Sequence, residues 1–226
     1  MTPPHRGWDP PSHPVLEKAY ANTAGAVAYL DETFHRAAVV GDRFYVITAV
    51  LVERDEMRAL RDGMRELAGS TFWHTTDQLL TEDGRRRAHA MLDFLGSGNE
   101  ICVIAHHIRV DDADTDLEHA RRDCLRAVAT RLSAGTAPLH APVSLLVIEQ
   151  RNPRNLSNLD RKSIQQMRVE GLIHRSMQTV LTSPKYEHLL WLPDLVALAY
   201  RRTFTHGDDS LFSPVRHAVH FVDPAL

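Results

Sequence analysis

The feature that most constrains the fold is a run of five apolar residues, 26–30, that leads directly into Asp31 and Glu32. A continuous apolar run of this length is typical of a strand that is buried on both faces in the middle of a sheet. Acids at the end of such a strand lie at the rim of the sheet, where open α/β sheets place their ligands. The run therefore predicts a central strand with Asp31 as the first member of a carboxylate site. The alternative is that the two acids simply end the strand in solvent.

The composition is that of an ordinary globular protein. Of the 226 residues, 43% are hydrophobic and 24% are charged, and the formal net charge is −3. This balance gives no global attraction to nucleic acid or to anionic membranes, so any polyanion must bind at a local patch. Cys102 and Cys124 are the only cysteines and lack metal-type spacing, which argues against a zinc module and a disulfide framework. No segment resembles a signal core or a membrane span, and we predict a cytoplasmic protein without a membrane partner.

Proline content and hydrophobic periodicity divide the chain into two parts. Residues 1–20 begin with a polar, proline-rich stretch and predict a flexible arm. Residues 21–226 contain no convincing linker and predict a single domain.

The pattern of elements predicts an α/β fold. Apolar, β-branched runs at 36–40 and 44–52 surround Gly41-Asp42 and predict an antiparallel hairpin, so that three strands open the fold. Further strands are predicted at 101–110, 143–148 and 188–192, and helices at 55–68, 81–95, 114–132 and 159–181 and from Pro193 onward. These elements predict a mixed sheet that is antiparallel at one edge and is flanked by helices.

Acids occupy similar positions in three of the predicted elements. Asp31 and Glu149 each follow a wholly apolar strand, and Asp194 lies in the first turn of a helix. Two such strands that are parallel neighbours would bring Asp31 and Glu149 to the same rim. Clustered carboxylates repel one another, and a divalent cation removes that cost. Oxygen ligands without cysteine suit one or two Mg²⁺ or Mn²⁺ ions, and a pair of such ions would activate water and stabilise the leaving oxygen of a phosphodiester.

Four short motifs follow one another in an order that is known from a protein family. They are Tyr29-Leu30-Asp31-Glu32 before a hairpin, Trp73-His74, Val147-Ile148-Glu149, and Leu192-Pro193-Asp194-Leu195-Val196-Ala197. With these motifs, the stretch from about residue 25 to residue 206 resembles the ribonuclease-H-like family catalogued as domain of unknown function 3800. His74 departs from this resemblance, since many relatives have Glu there and Lys two residues later. Pro193 replaces the small residue that is usual before the last Asp.

The resemblance implies a ribonuclease-H-like fold and a metal-dependent phosphodiesterase, namely a nuclease with nucleic acid as its substrate. By the same resemblance Asp31, Glu149 and Asp194 would be metal ligands. Glu32 and His74 would each be a second ligand, a general base or a substrate contact. The side chain of Glu32 points away from that of Asp31 on a strand, which places it second to Asp31.

Basic residues follow Glu149 closely. Arg151, Arg154 and Arg161 would let guanidinium groups hold phosphates beside the metal site. A solvated loop and helix start explains these arginines equally well. The rival functional hypothesis is a non-catalytic interaction module on the same scaffold, which His74 and the mildly acidic net charge favour.

Overall fold

The computed structural model describes residues 13–36, 43–152 and 154–224, without the side chain of Arg154. The strands in these ranges are β1 (Val27–His35), β2 (Phe44–Val52), β3 (Ile101–His107), β4 (Leu145–Glu149), β5 (Gln178–Thr182) and β6 (Val219–Val222). The α-helices are α1 (Pro14–Ala21), α2 (Met57–Ala68), α3 (Thr75–Gln78), α4 (Glu82–Gly96), α5 (Glu118–Ala134), α6 (Arg154–Val169) and α7 (Trp191–Thr205).

The strands form one mixed sheet in the order β5-β4-β1-β2-β3-β6. β1, β2 and β3 are antiparallel to one another in turn, whereas β4 runs parallel to β1 and β5 runs parallel to β4. β6 lies parallel to β3 at the opposite edge. This arrangement confirms the predicted α/β fold class, a mixed sheet that is partly antiparallel and is flanked by helices.

Each face of the sheet has its own hydrophobic core. On the α7 face, Val27 and Tyr29 of β1 pack with residues of α2, α4 and α7. On the α5 face, Ala28 and Leu30 pack with residues of α5 and α6. β1 is therefore buried on both sides, as its apolar run predicts, and the alternation of its side chains decides which face each residue after Leu30 reaches.

The helix signals in the first half of the chain correspond to observed helices. α2 buries Met57, Leu60 and Met64 on one stripe, and Gly69 ends it in the left-handed conformation with φ 63°. The Thr81 side chain caps α4 by accepting a hydrogen bond from the Gly84 N–H.

The opening hairpin differs from the prediction. β1 itself continues to His35 and pairs with β2 along its whole length, from Val27 opposite Val52 to His35 opposite Phe44. A separate strand over 36–40 is therefore not the partner of β2, and residues 37–42 lie outside the described part. The third antiparallel strand is β3, which comes much later in the chain.

The prediction for residues 159–192 is wrong in two places. The helix predicted over 159–181 ends at Val169, Gly171 follows with φ 73°, and residues 178–182 form strand β5. The strand predicted over 188–192 is a 3₁₀ turn, His188–Leu190, that leads into α7. Pro193 is then the third residue of α7 rather than the first. The first turn tolerates proline there because its N–H groups have no helical partners.

The amino-terminal helix belongs to the packed domain. α1 buries Leu16 and Ala19 in the α7-face core, so the predicted arm over 1–20 does not extend through this helix. Residues 1–12 lie outside the described part. Within the described ranges, no helix is both long enough and apolar enough to cross a membrane.

Candidate carboxylate site

Two of the predicted ligands lie side by side at the ends of parallel strands. Leu30 of β1 is in register with Ile148 of β4, so Asp31 and Glu149 follow on strands that are about 4.8 Å apart. Alternation along each strand places both side chains on the α7 face, because Tyr29 and Val147 two residues earlier belong to that core. The pairing of Asp31 with Glu149 is therefore a direct result of the strand register.

The third predicted ligand reaches the same place from a helix. α7 packs across β1 and β2, and its first turn carries Asp194. Asp194 lines one cleft of about 400 Å³ together with Asp31 and Glu149. The Asp194 carboxylate accepts a hydrogen bond from the Thr75 backbone N–H at 3.4 Å. The structure thus brings the three predicted acids into one cleft from β1, β4 and α7.

Burial raises the pKa of all three acids, and repulsion from neighbouring carboxylates adds to this effect at Asp31 and Glu149. Burial raises the pKa of Asp31 well above its usual range, and the charges of Glu149 and Asp194 add to this effect. Burial also raises the pKa of Glu149 to about 7, with contributions from Asp194 and Glu32. The pKa of Asp194 is raised by burial and partly restored by hydrogen bonds from Thr75. Among the described residues, no arginine or lysine forms an ion pair with Asp31 or Glu149.

The donor set suits a hard divalent cation. Three carboxylates supply only oxygen ligands, and among the described residues none of the three forms a salt bridge with an arginine or lysine. In the described ranges, however, no three His, Cys, Asp or Glu side chains are already grouped closely enough to hold a metal ion. The carboxylate oxygens therefore fit Mg²⁺ or Mn²⁺ as ligands. In their present positions, the three described side chains are not close enough together to coordinate one ion.

Glu32 lies on the opposite face of β1 from the three acids. It lines the cleft from the α5 face and forms an ion pair with Arg121 of α5. Arg121 also donates to both carboxylate oxygens of Asp160, at 2.8 and 2.9 Å, and to the Tyr45 hydroxyl at 2.8 Å. Glu32 is thus held in a buried ion-pair network rather than beside Asp31.

The predicted phosphate clamp is not assembled by Arg151 and Arg161. Arg151 lines the cleft, but its guanidinium donates to Glu118 at 2.6 Å, to Asp160 at 2.9 Å and to the Leu156 carbonyl at 2.9 Å. Arg161 is exposed and donates to the Asn158 side chain at 3.0 Å. Arg154 begins α6, but its side chain lies outside the described part.

His74 stands at the rim of the cleft just before α3. It is exposed, and its Nδ1 lies 2.9 Å from a carboxylate oxygen of Asp77. The preceding Trp73 is buried and donates its indole N–H to the Thr75 hydroxyl at 2.8 Å. Through the hydrogen bond from the Thr75 backbone N–H to Asp194, this short segment connects the rim of the cleft to the first turn of α7.

Sequence reasoning missed an aromatic and basic wall of the cleft. Phe34 stacks on Tyr45 with 5.5 Å between ring centroids, and the Arg36 guanidinium lies 5.1 Å from the Phe34 centroid. All three residues line the same cleft as the acids. Alternation along β1 could have placed Phe34 on the α5 face of the rim, the same face as Glu32 and opposite that of Asp31, but no local pattern pointed to Arg36.

Comparisons with known proteins identify no family. No family model matches the chain, and no curated protein matches it. Two similar solved structures are both of Bst-RNase HIII. A mutant form has 12% sequence identity to this chain and a TM-score of 0.43. The alignment covers 79% of this chain and 53% of the mutant's chain. The complex with Mn²⁺ has 14% identity and a TM-score of 0.46. Here the alignment covers 91% of this chain and 73% of the other chain. This chain thus spans about half the length of the first of these structures.

Proposed function

We propose that this protein is a metal-dependent phosphodiesterase that acts as a nuclease. One observation carries the proposal: Asp31, Glu149 and Asp194 converge in one cleft, on one face of the sheet, and within the described residues no arginine or lysine forms a salt bridge with them. Burying like charges together is costly, and a divalent cation is the simplest compensation. We also propose membership of the ribonuclease-H-like family that the motifs resemble.

Asp31, Glu149 and Asp194 would hold one or two Mg²⁺ or Mn²⁺ ions. When bound, such ions supply Lewis-acid stabilisation of a phosphodiester and a more acidic attacking water. The chain's own part is to hold the ligands: Thr75 orients Asp194 by its backbone N–H, and β1 and β4 present the other two acids. Because these carboxylates hold protons unusually firmly, we expect cation binding to release protons and to strengthen as the pH rises.

The proposed substrate is a nucleic-acid strand with unpaired bases. Arg36 and Phe34 form a stacked wall in the cleft, with the buried Tyr45 packed against Phe34. Bases in single strands stack on aromatic rings and guanidinium planes. Within the described residues Arg36 has no acidic partner, in contrast to Arg151, so its charge is available to a phosphate.

The test is divalent-cation-dependent cleavage of labelled single-stranded, duplex and hybrid substrates. We expect the wild-type protein to cleave with Mg²⁺ or Mn²⁺, preferring single strands, and Asp31→Asn to lose activity by roughly 100-fold or more. Asp62→Asn makes the same chemical change on an exposed helix surface away from the cleft and should keep full activity. Equal cleavage by wild type and Asp31→Asn, with identical purification, contradicts the proposal.

A second candidate is a non-catalytic interaction module on this scaffold. The observation that favours it is the absence, in the described ranges, of a preassembled set of three metal ligands. Calorimetric titration with Mn²⁺ separates the two candidates. The module predicts no binding at millimolar Mn²⁺, whereas the nuclease predicts binding that Asp31→Asn abolishes.

A further inference from the structure

Two threonines flank the acids in a row across the sheet. Thr48 of β2 is the cross-strand partner of Asp31, and Thr182 of β5 is the partner of Glu149. Strand alternation places both threonines on the α7 face, since Val46, Val50 and Val180 belong to that core. The row therefore reads Thr182, Glu149, Asp31, Thr48 from β5 to β2.

The hydroxyl groups of both threonines are buried without a hydrogen-bond partner. Thr48 is 0% exposed and Thr182 is 2% exposed, and neither Oγ1 has a partner among the described residues. A buried hydroxyl that makes no hydrogen bond costs free energy, so its presence needs an explanation. Directly opposed residues have Cβ atoms about 4.5–5.5 Å apart, which puts the neighbouring carboxylate within reach of the hydroxyl by side-chain rotation.

We propose that Thr48 and Thr182 are positioning residues for the metal ligands. Each donates its hydroxyl proton to the carboxylate of its cross-strand neighbour and so sets the orientation of Asp31 or Glu149 toward a divalent cation. This inference rests on the proposed function, because it assigns the outer support of the same site. Hydrogen-bonding partners that orient metal ligands commonly change metal affinity by about 10–100-fold.

A purely structural reading of the same residues makes a different prediction. Threonine is a favoured residue in strands, and on this reading its unsatisfied hydroxyl has no function. In that case valine, which has the same shape without the hydroxyl, would remove an unsatisfied polar group and stabilise the fold. Cation affinity would then be unchanged.

The experiment measures Mn²⁺ affinity by isothermal titration calorimetry and folding by urea denaturation. We expect Thr48→Val and Thr182→Val each to weaken Mn²⁺ binding by about 10-fold or more, and the serine variants at both positions to restore most of it. The control is Thr179→Val, on the same strand as Thr182 but on the opposite face, where its hydroxyl oxygen lies 3.4 Å from the Arg168 guanidinium. It should bind Mn²⁺ as wild type does.

The possible outcomes distinguish this inference from the proposed function. Valine variants that bind Mn²⁺ like wild type, with unchanged or higher stability, overturn the inference and leave the proposed function standing. A wild-type protein that binds no Mn²⁺ overturns both. If Thr48→Val does not fold, Thr182→Val at the end of β5 decides the question alone.

Discussion

At the scale of single residues, Glu149 shows what the cleft costs the protein. Its side chain lines the same cleft as Asp31 and Asp194, and burial and the charge of Asp194 raise the pKa of its carboxyl to about 7 from an ordinary value of 4.5. The folded protein therefore binds a proton at Glu149 more tightly than the unfolded chain does. Stability contributed by this proton is present at low pH and is lost as the pH rises through 7.

We predict that Glu149→Gln is more stable than wild type at pH 8 in the absence of divalent cations. The neutral amide removes the cost of ionising Glu149 in the folded state, a gain on the order of 2 kcal/mol after allowance for partial exposure. At pH 4 most of the gain should vanish, because Glu149 is then largely protonated in the unfolded chain as well as in the folded state. Urea denaturation at the two pH values measures the difference.

Glu170→Gln serves as the control for this pH dependence. The Arg126 guanidinium lowers the pKa of Glu170, so its ionised form favours folding and its loss should not stabilise the protein at pH 8. A gain of the same size in both variants would show that net charge, rather than the cleft, causes the effect.

Gly69 illustrates a residue whose backbone decides its identity. It ends α2 with φ 63°, and an added Cβ would lie 2.1 Å from the Arg87 guanidinium. We predict that Gly69→Ala lowers the free energy of unfolding by about 1 kcal/mol. Gly25→Ala meets no atom within 4 Å and has no positive φ, so it should be neutral or slightly stabilising in the same denaturation assay.

At the scale of elements, one arginine joins three parts of the α5 face. Arg121 of α5 binds Asp160 of α6 and Glu32 of β1, and its side chain is 2% exposed. Buried charges of this kind are tolerated only while every member keeps its partner. The network therefore fixes where both helices sit against the rim of the sheet.

We predict that Arg121→Met costs about 3–5 kcal/mol of stability, because it leaves Glu32 unpaired and Asp160 with Arg151 alone. Arg126→Met is the matched control on the same helix. Arg126 also pairs with an acid, Glu170, which directly follows α6, but both side chains are more exposed, so its loss should cost far less stability than the loss of Arg121. Similar losses for the two variants in urea denaturation would contradict the role assigned to Arg121.

Local patterns predicted the elements whose signal is contained in their own residues. The apolar run before Asp31 predicted β1. The apolar run over 143–148 predicted a second buried strand, whose end would bring Glu149 close to Asp31. β5 escaped prediction because a short edge strand depends on its pairing with β4 rather than on its own pattern. The end of α6 likewise depends on Gly171, whose positive φ does not show in helical periodicity.

The roles of the arginines could not be predicted for a related reason. Arg151 follows the predicted metal ligand closely and resembled a phosphate clamp in the sequence. Its acidic partners are Asp160, nine residues later, and Glu118, 33 residues earlier on a different helix. Whether an arginine is free or paired is decided by tertiary packing, and no local spacing contains that information.

At the scale of the whole molecule, the candidate site exists only when the sheet is complete. β1 lies between β4 and β2, and this order brings together acids from positions 31, 149 and 194. The unfolded chain keeps these residues apart and has no comparable site. A cation that binds here must therefore favour the folded state.

We predict that Mn²⁺ raises the melting temperature of the wild-type protein. At 100 times its dissociation constant, a ligand specific for the folded state adds about 2.7 kcal/mol, which for a chain of this size corresponds to roughly 5–10 °C. The melting temperature of Asp31→Asn should differ little with and without Mn²⁺, whereas that of Asp62→Asn should rise with Mn²⁺ as it does in wild type. The shift should reverse on chelation with EDTA. Equal shifts in all three proteins would place the cation elsewhere on the surface and remove the main support for the carboxylate cleft as a metal site.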